Sequence, residues 1–242
     1  MSKLTKALRR AQNGYCAAVV VAAGQSRRMG EDKLFLTVGG CPVLALTLSA
    51  LERSPDVQEI VLVTTPERVD DVEKLRLGYR LTKLRRVVFG GETRTVSARN
   101  GVLAVSERAN IICIHDAARP FVTEAVIAGA VRGAELYLAA APAVPVKDTV
   151  KLARDGAVES TPERERLFAV QTPQAFRAEL IKAALTAAVE AGVSYSDDCA
   201  AVEAIGATVH LTEGDEENIK LTTPFDLALA EAIWRRRQEA EA

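Results

Sequence analysis

Three stretches of this sequence place small and charged residues where they could do chemistry on phosphate. In Val19-Val20-Val21-Ala22-Ala23-Gly24-Gln25-Ser26-Arg27-Arg28-Met29-Gly30-Glu31-Asp32-Lys33, an apolar β-branched run breaks at Gly24 into a cationic loop that ends in a lysine. Gly90-Gly91-Glu92-Thr93-Arg94-Thr95-Val96-Ser97 and His115-Asp116-Ala117-Ala118-Arg119-Pro120 each follow another apolar run. A strand that delivers a glycine-containing cationic loop makes an anion cradle. The P-loop spacing is absent, because five residues separate Gly24 from Gly30 and Glu31 follows. The dinucleotide fingerprint fails as well, since Ser26 stands where its second glycine belongs.

Those loops need a framework, and 242 residues suit one α/β domain with an embellishment, or at most two small domains. Hydrophobic residues at 48% and charged residues at 26% describe a soluble globular chain, neither disordered nor membrane-embedded. The formal net charge of -1 argues against general affinity for nucleic acid or anionic membrane, so any phosphate site must be local. Cys16, Cys41, Cys113 and Cys199 show no C-x-x-C or Cys/His spacing and are read as reduced, mostly buried thiols of a cytoplasmic protein. Basic residues before the run from Tyr15 to Ala23 imitate a secretory signal. Cleavage near Ala23 would destroy the cationic loop, so residues 1–14 are expected to be a poorly ordered basic tail.

From residue 15 to 242 the pattern reads as a single α/β domain built on a doubly wound, mostly parallel sheet with a protruding β-arm. The apolar runs Val19–Val21, Ile60–Val63, Val87–Phe89 and Ile111–Ile114 alternate with helical patterns. Ligands of such sheets bind at the carboxyl ends of strands, so the three stretches should converge despite about ninety residues of separation. Pro42 is expected at a first helical position, a strand around Leu136 to Ala141, and another short strand at Asn218-Ile219-Lys220-Leu221. Between about 144 and 166 the residues alternate around the hairpin signal Asp155-Gly156. This arm has too little core to stand alone. It packs either on a second copy, making a homodimer, or over its own subunit.

The pattern A-A-G-x-x-x-R-M-G-x-x-K, carried by Ala22, Ala23, Gly24, Arg28, Met29, Gly30 and Lys33, resembles the signature loop of nucleotidylyltransferases that activate sugar or polyol phosphates. With Gly90-Gly91-Glu92-x-Arg94-x-x-Ser97, His115 to Pro120, Asp148-Thr149, Thr172-Pro173-Gln174 and Asn218-Ile219-Lys220 added in order, the chain from Ala18 to about Ala230 resembles the 2-C-methyl-D-erythritol 4-phosphate cytidylyltransferase family. The resemblance implies a Rossmann-like nucleotidyltransferase fold and a reaction in which a polyol phosphate displaces pyrophosphate from CTP with Mg²⁺ present. The attacking phosphate monoester has a second pKa near 6 and is largely dianionic at neutral pH, so no general base is required.

It further implies roles for particular residues. Arg28 and Lys33 bind the triphosphate and stabilise the transition state, joined by Lys220. Ala22, Ala23, Gly24, Gly91, Glu92, Ser97, Asp116 and Ala117 hold CTP, with Asp116 the one carboxylate contact to Mg²⁺. Arg119, Thr149, Arg164, Ser196 and Lys220 grip the polyol phosphate, Arg164 coming from the neighbouring subunit and Arg166 competing for that role. Two positions depart from the family: Glu92 stands for an aspartate and Ser196 for a threonine. His115 is expected to orient or pack, and His210 to be structural. The rival readings are a ribitol 5-phosphate cytidylyltransferase, a hexose 1-phosphate uridylyl- or guanylyltransferase, and a non-catalytic nucleotide sensor. Because the chain ends soon after its terminal helix, a fusion to a later cyclase of the isoprenoid route is not expected.

Overall fold

The computed structural model describes residues 14–24 and 32–241. The basic tail over 1–13 and the loop residues from Gln25 to Glu31, Arg28 among them, lie outside the described residues.

One sheet carries the fold. Its strands are β1 (Cys16–Val21), β4 (Glu59–Thr64), β5 (Leu84–Phe89), β6 (Ile111–Asp116), β7 (Ala139–Pro145), β10 (Phe168–Val170), β11 (Gln174–Arg177) and β12 (His210–Glu213). They run β5-β4-β1-β6-β11-β7, with β10 and β12 also paired to β7. β1, β4, β5 and β6 are parallel, while β10 and β11 run antiparallel to their neighbours. The sheet is thus mostly parallel, as the alternating apolar runs imply.

The period-two geometry of β1 splits its residues between two cores. Cys16, Ala18 and Val20 face helices α1 (Val43–Arg53), α2 (Val69–Gly78), α4 (Glu124–Tyr137) and α7 (Pro224–Glu241). Ala17 and Val19 face α3 (Arg94–Leu103), α5 (Ala178–Glu190) and α6 (Asp198–Ala204). Both faces are covered, which is why β1, β4 and β6 are continuously apolar rather than alternating. Each fully buried Val, Leu or Ile side chain of these strands contributes about 1.5–3 kcal/mol of transfer free energy.

β1 is flanked by β4 on one side and by β6 on the other, so the chain changes direction of winding beside it. Crevices at such a switch point, outside the carboxyl ends of the strands, are where ligands bind. The approach of α3 sharpens that crevice: a Cβ on Gly101 would fall 2.4 Å from Val19 and 2.6 Å from Val63, so only glycine allows the helix to lie this close to β1 and β4.

Several expectations need correction. Pro42 ends the two-residue strand β3 (Cys41–Pro42), paired with β2 (Thr37–Val38), and precedes α1 rather than opening it. The helix before β7 runs on to Tyr137, and β7 begins later and ends at Pro145. Asn218 to Leu221 form no strand, because the Asn218 side chain turns inward to the Gln171 side chain and the Thr172 carbonyl. Beyond β7, strands β8 (Leu152–Arg154) and β9 (Ala157–Ser160) pair only with each other around Asp155 and Gly156, both at positive φ. Among the described residues no helix is long and apolar enough to cross a membrane. The four cysteines are free, three of them buried.

Candidate active site

A cleft of about 590 Å³ opens at the switch point. It is lined at the exit of β1 by Ala22, Ala23 and Gly24 and at the exit of β6 by Asp116, Ala117 and Ala118. Ala117 N–H donates to the Val21 carbonyl at 3.2 Å, holding the two exits together. Gly91, Glu92, Arg94 and Ser97 form one wall and Lys33 and Lys220 the other.

The glycine wall is fixed by close contact. A Cβ on Gly90 would lie 2.3 Å from that of Ala23 and 2.8 Å from Ser97 Oγ. Ser97 Oγ accepts from Gly91 N–H at 3.0 Å and donates to the Thr93 carbonyl at 2.9 Å. The serine expected to read a base therefore spends its proton on shaping the loop. Thr93 caps α3 by accepting from Val96 N–H.

Asp116 is the electrostatic centre. Lys220 Nζ lies 3.0 Å from one carboxylate oxygen and Arg119 Nε 3.4 Å from the same one, while Arg94 is 3.7 Å from the other. Burial pushes the Asp116 pKa up, but Lys220, Arg94 and Arg119 outweigh it and hold the carboxyl at about 2. The group is ionised at any physiological pH. Arg94 is itself anchored on buried Asp198 at 2.7 Å, and although its burial works against charge, Asp198 and Asp116 raise its pKa further. Lys33 Nζ donates to the Leu221 carbonyl at 3.0 Å, beside Lys220, and Leu221 N–H donates to the Ala118 carbonyl. A loop from the far end of the sequence is thereby clamped across the cleft.

The remaining motifs frame this centre. His115 is buried, and desolvation lowers its pKa to about 4, so its ring is neutral. Thr172 Oγ accepts from Asp116 N–H at 3.1 Å and donates to His115 Nδ1 at 2.9 Å, leaving Nε2 as the donor to the Arg119 carbonyl at 3.3 Å. Gln174 accepts from the N–H groups of Asp198 and Cys199 and donates to Asp197 Oδ2, which fixes the start of α6 and with it the partner of Arg94. His210 stacks on Tyr137 on the surface, 4.0 Å between ring centres.

The structure brings Ala22, Ala23, Gly24, Lys33, Gly91, Glu92, Ser97, Asp116, Ala117 and Lys220 into one cleft. Arg119 stands behind it, donating to Asp116 and, at 2.6 Å, to the Asn218 carbonyl. Thr149, Arg164 and Ser196 do not line it. Arg164 sits in the exposed turn Arg164–Arg166 and, among the described residues, its side chain reaches only the Lys147 carbonyl, at 3.4 Å. Sequence reasoning did not give Arg94 a role, although its place in the glycine motif was visible; its partner Asp198 is separated from it by 104 residues and carried no signal.

The cleft thus sets Lys33, Arg94 and Lys220 around small residues, an arrangement suited to a nucleoside polyphosphate. The chain matches the family model of 2-C-methyl-D-erythritol 4-phosphate cytidylyltransferase over residues 16–236. It is 46% identical over 228 residues to the enzyme of that description from Desulforamulus reducens, covering 93% of this chain and 97% of the relative. The Geobacillus kaustophilus enzyme of the same description is 46% identical over 222 residues, covering 91% and 97%. Among solved structures, the 4-diphosphocytidyl-2C-methyl-D-erythritol synthase of Anaerococcus prevotii superposes with a TM-score of 0.82 at 28% identity, covering 93% of this chain and 97% of that one. The Thermus thermophilus 2-C-methyl-D-erythritol 4-phosphate cytidylyltransferase gives a TM-score of 0.73 at 34% identity, covering 90% and 98%. The cleft, the fold and these likenesses agree, and the chain belongs to the 2-C-methyl-D-erythritol 4-phosphate cytidylyltransferase family.

Proposed function

We propose that this protein is a cytoplasmic enzyme that transfers the cytidylyl group of CTP to 2-C-methyl-D-erythritol 4-phosphate. Pyrophosphate leaves and 4-diphosphocytidyl-2-C-methyl-D-erythritol forms, a step of non-mevalonate isoprenoid synthesis. The observation that carries the reading is the convergence of Lys33 and Lys220 on one cleft with the small residues Ala22 to Gly24 at the exit of β1. A dianionic phosphate needs no base to attack; its difficulty is approaching another polyanion. Catalysis is then positioning and charge neutralisation at the α-phosphorus.

In this account the nucleoside end of CTP lies against Ala22, Ala23, Gly91, Glu92 and Ser97, and the triphosphate against Arg28 and Lys33. Lys220 serves both substrates. Asp116 would hold Mg²⁺. The residues fit: one ionised carboxylate beside a polyphosphate cleft is a donor set Mg²⁺ accepts, phosphate oxygens and waters completing its octahedron. Among the described residues no group of three or more His, Cys, Asp or Glu could hold a metal unaided, in keeping with a metal that arrives with the nucleotide. When bound it neutralises phosphate charge.

The polyol phosphate is held by Lys220 at the cleft and by Ser196 and residues of the arm, which lie off it. Thr149 and Arg164 lie off the cleft of their own chain, and Val150, Leu152, Val158, Phe168 and Val170 of the same region are exposed. Both facts support a homodimer in which the arm of one copy delivers these residues to the other's cleft. Arg119, which donates to Asp116 and to the Asn218 carbonyl behind the cleft, is the further cation assigned to the polyol phosphate.

Steady-state pyrophosphate release with each of the four nucleoside triphosphates, against methylerythritol 4-phosphate and ribitol 5-phosphate, tests the reading. Preference for CTP with the methylerythritol substrate is expected. Preference for ribitol 5-phosphate, or nucleotide binding without release, would overturn it.

A further inference from the structure

Arg68 closes the short 3-10 turn Pro66–Arg68 after β4. Its side chain is only 12% exposed and directs its whole guanidinium at the first loop. Nε donates to Asp32 Oδ2 at 2.5 Å, Nη1 donates to the Ala22 carbonyl, and Nη2 donates to the Gly24 carbonyl at 3.3 Å. Ala22 and Gly24 are where the chain leaves β1; Asp32 is where it returns. Asp32 also shapes the turn that carries Lys33, accepting from Leu34 N–H at Oδ1 and from Phe35 N–H at its carbonyl. One rigid planar group therefore ties both ends of the segment that contains Arg28, while Arg68 itself does not line the cleft.

We propose that Arg68 is a positioning residue of the nucleotide loop, holding its two ends at the separation at which Ala22 to Gly24 and Lys33 face one triphosphate. The inference rests on the reading of the cleft as a CTP site. Its physical basis is preorganisation: Ala22 to Gly24 and Lys33, already held at a fixed separation, lose less freedom when nucleotide binds. Only arginine suits the position, because the three acceptors lie around a planar fork of five N–H donors that a lysine ammonium does not reproduce. No motif pointed to Arg68, which lies outside every stretch with chemical spacing.

The test compares wild type with R68A, R68K and D32N in three measurements: kinetics in CTP and in the polyol phosphate separately, amide exchange at residues 22–24 and 32–35 without nucleotide, and melting midpoint. For R68A, kcat/KM for CTP should fall about 10²-fold, the scale of a misplacement of order one ångström. KM for the polyol phosphate should hold, and exchange should quicken at both ends of the loop. R68K should recover only part of the loss. D32N, which keeps the two carbonyl contacts, should raise KM for CTP by less, and it carries the test if R68A fails to fold. Unchanged CTP kinetics in R68A, or equal losses for both substrates in step with melting, would overturn the proposal. A wild-type protein that binds no CTP overturns the site reading and this role with it; wild type that binds CTP beside an unimpaired R68A overturns only the role of Arg68.

Discussion

Lys220 Nζ lies 3.0 Å from Asp116 Oδ2, joining a loop near the end of the chain to the exit of β6. The lysine is 40% exposed and the carboxylate 12%, so the pair stands at the boundary between interior and cleft. Asp116 does not depend on this lysine alone, since Arg94 and Arg119 also hold it ionised. Lys220 is the strongest of the three in holding the carboxylate ionised, and because it is also the most open to the cleft it is placed to serve an incoming phosphate.

Lys220→Ala and Lys33→Ala should therefore fold and melt near the wild type while turnover drops about 10²–10³-fold, as when one preorganised donor is removed from a transition state. Single-turnover kinetics and calorimetry check this. Near-normal turnover in either variant removes that lysine from the mechanism.

Gly90→Ala tests the fit of the glycine wall. The added methyl would sit 2.3 Å from Ala23 Cβ, with no flexible chain end to give way, so the exit of β1 must shift. Overpacking of this kind costs about 1–3 kcal/mol. A lowered melting midpoint together with weaker CTP binding is expected; titration calorimetry reads the second, and unaltered affinity would show that Ala23 does not touch nucleotide.

His115 gives the pH dependence its sign. Its pKa falls from the ordinary 6.5 to about 4 because burial disfavours the charged ring. As pH drops below about 6.5 the unfolded chain takes up a proton that the folded one refuses until about pH 4, so stability is full above this window and is lost through it. The full shift corresponds to roughly 3 kcal/mol. His115→Asn should flatten the fall in melting midpoint between pH 7 and pH 4.5, whatever it does to the midpoint at pH 7; a slope equal to the wild type's would show that another group governs acid stability.

How far the sequence could be read follows from where each signal resides. The strand before Gly24 and the run before Asp116 are local patterns, and parallel-sheet geometry alone brings them together at the switch point. Thr172, Gln174 and Asn218 were visible as motif residues, but their work was not: they hold His115, the start of α6 and the Arg119 region through contacts that no periodicity encodes. The strand expected at Asn218 failed because a short apolar alternation cannot reveal that the asparagine's amide is needed inside. Arg68 and Asp198 were silent altogether, since a lone charge on a surface turn or a helix start reads the same whether or not it meets a distant loop.

Subunit mixing tests the arm. Lys33→Ala and Arg164→Ala should each be impaired alone. If Arg164 acts across the interface, a mixed dimer has one intact cleft, and equimolar mixing restores about a quarter of wild-type activity by random pairing of a two-fold dimer. No recovery, with exchange of subunits verified by mass, would place Arg164 with its own chain; the same experiment with Arg166→Ala decides between the two arginines.

The central claim is that the substrate's own phosphate oxygen attacks the α-phosphorus of CTP in the cleft of Lys33 and Lys220. Phosphorus NMR and mass spectrometry on a reaction of CTP with methylerythritol phosphate labelled with heavy oxygen in its phosphate test it most directly. Label is expected in the bridge of the diphosphate product, with unlabelled pyrophosphate and no pyrophosphate without the polyol phosphate. Label in the released pyrophosphate, or hydrolysis of CTP to CMP in its place, would contradict it.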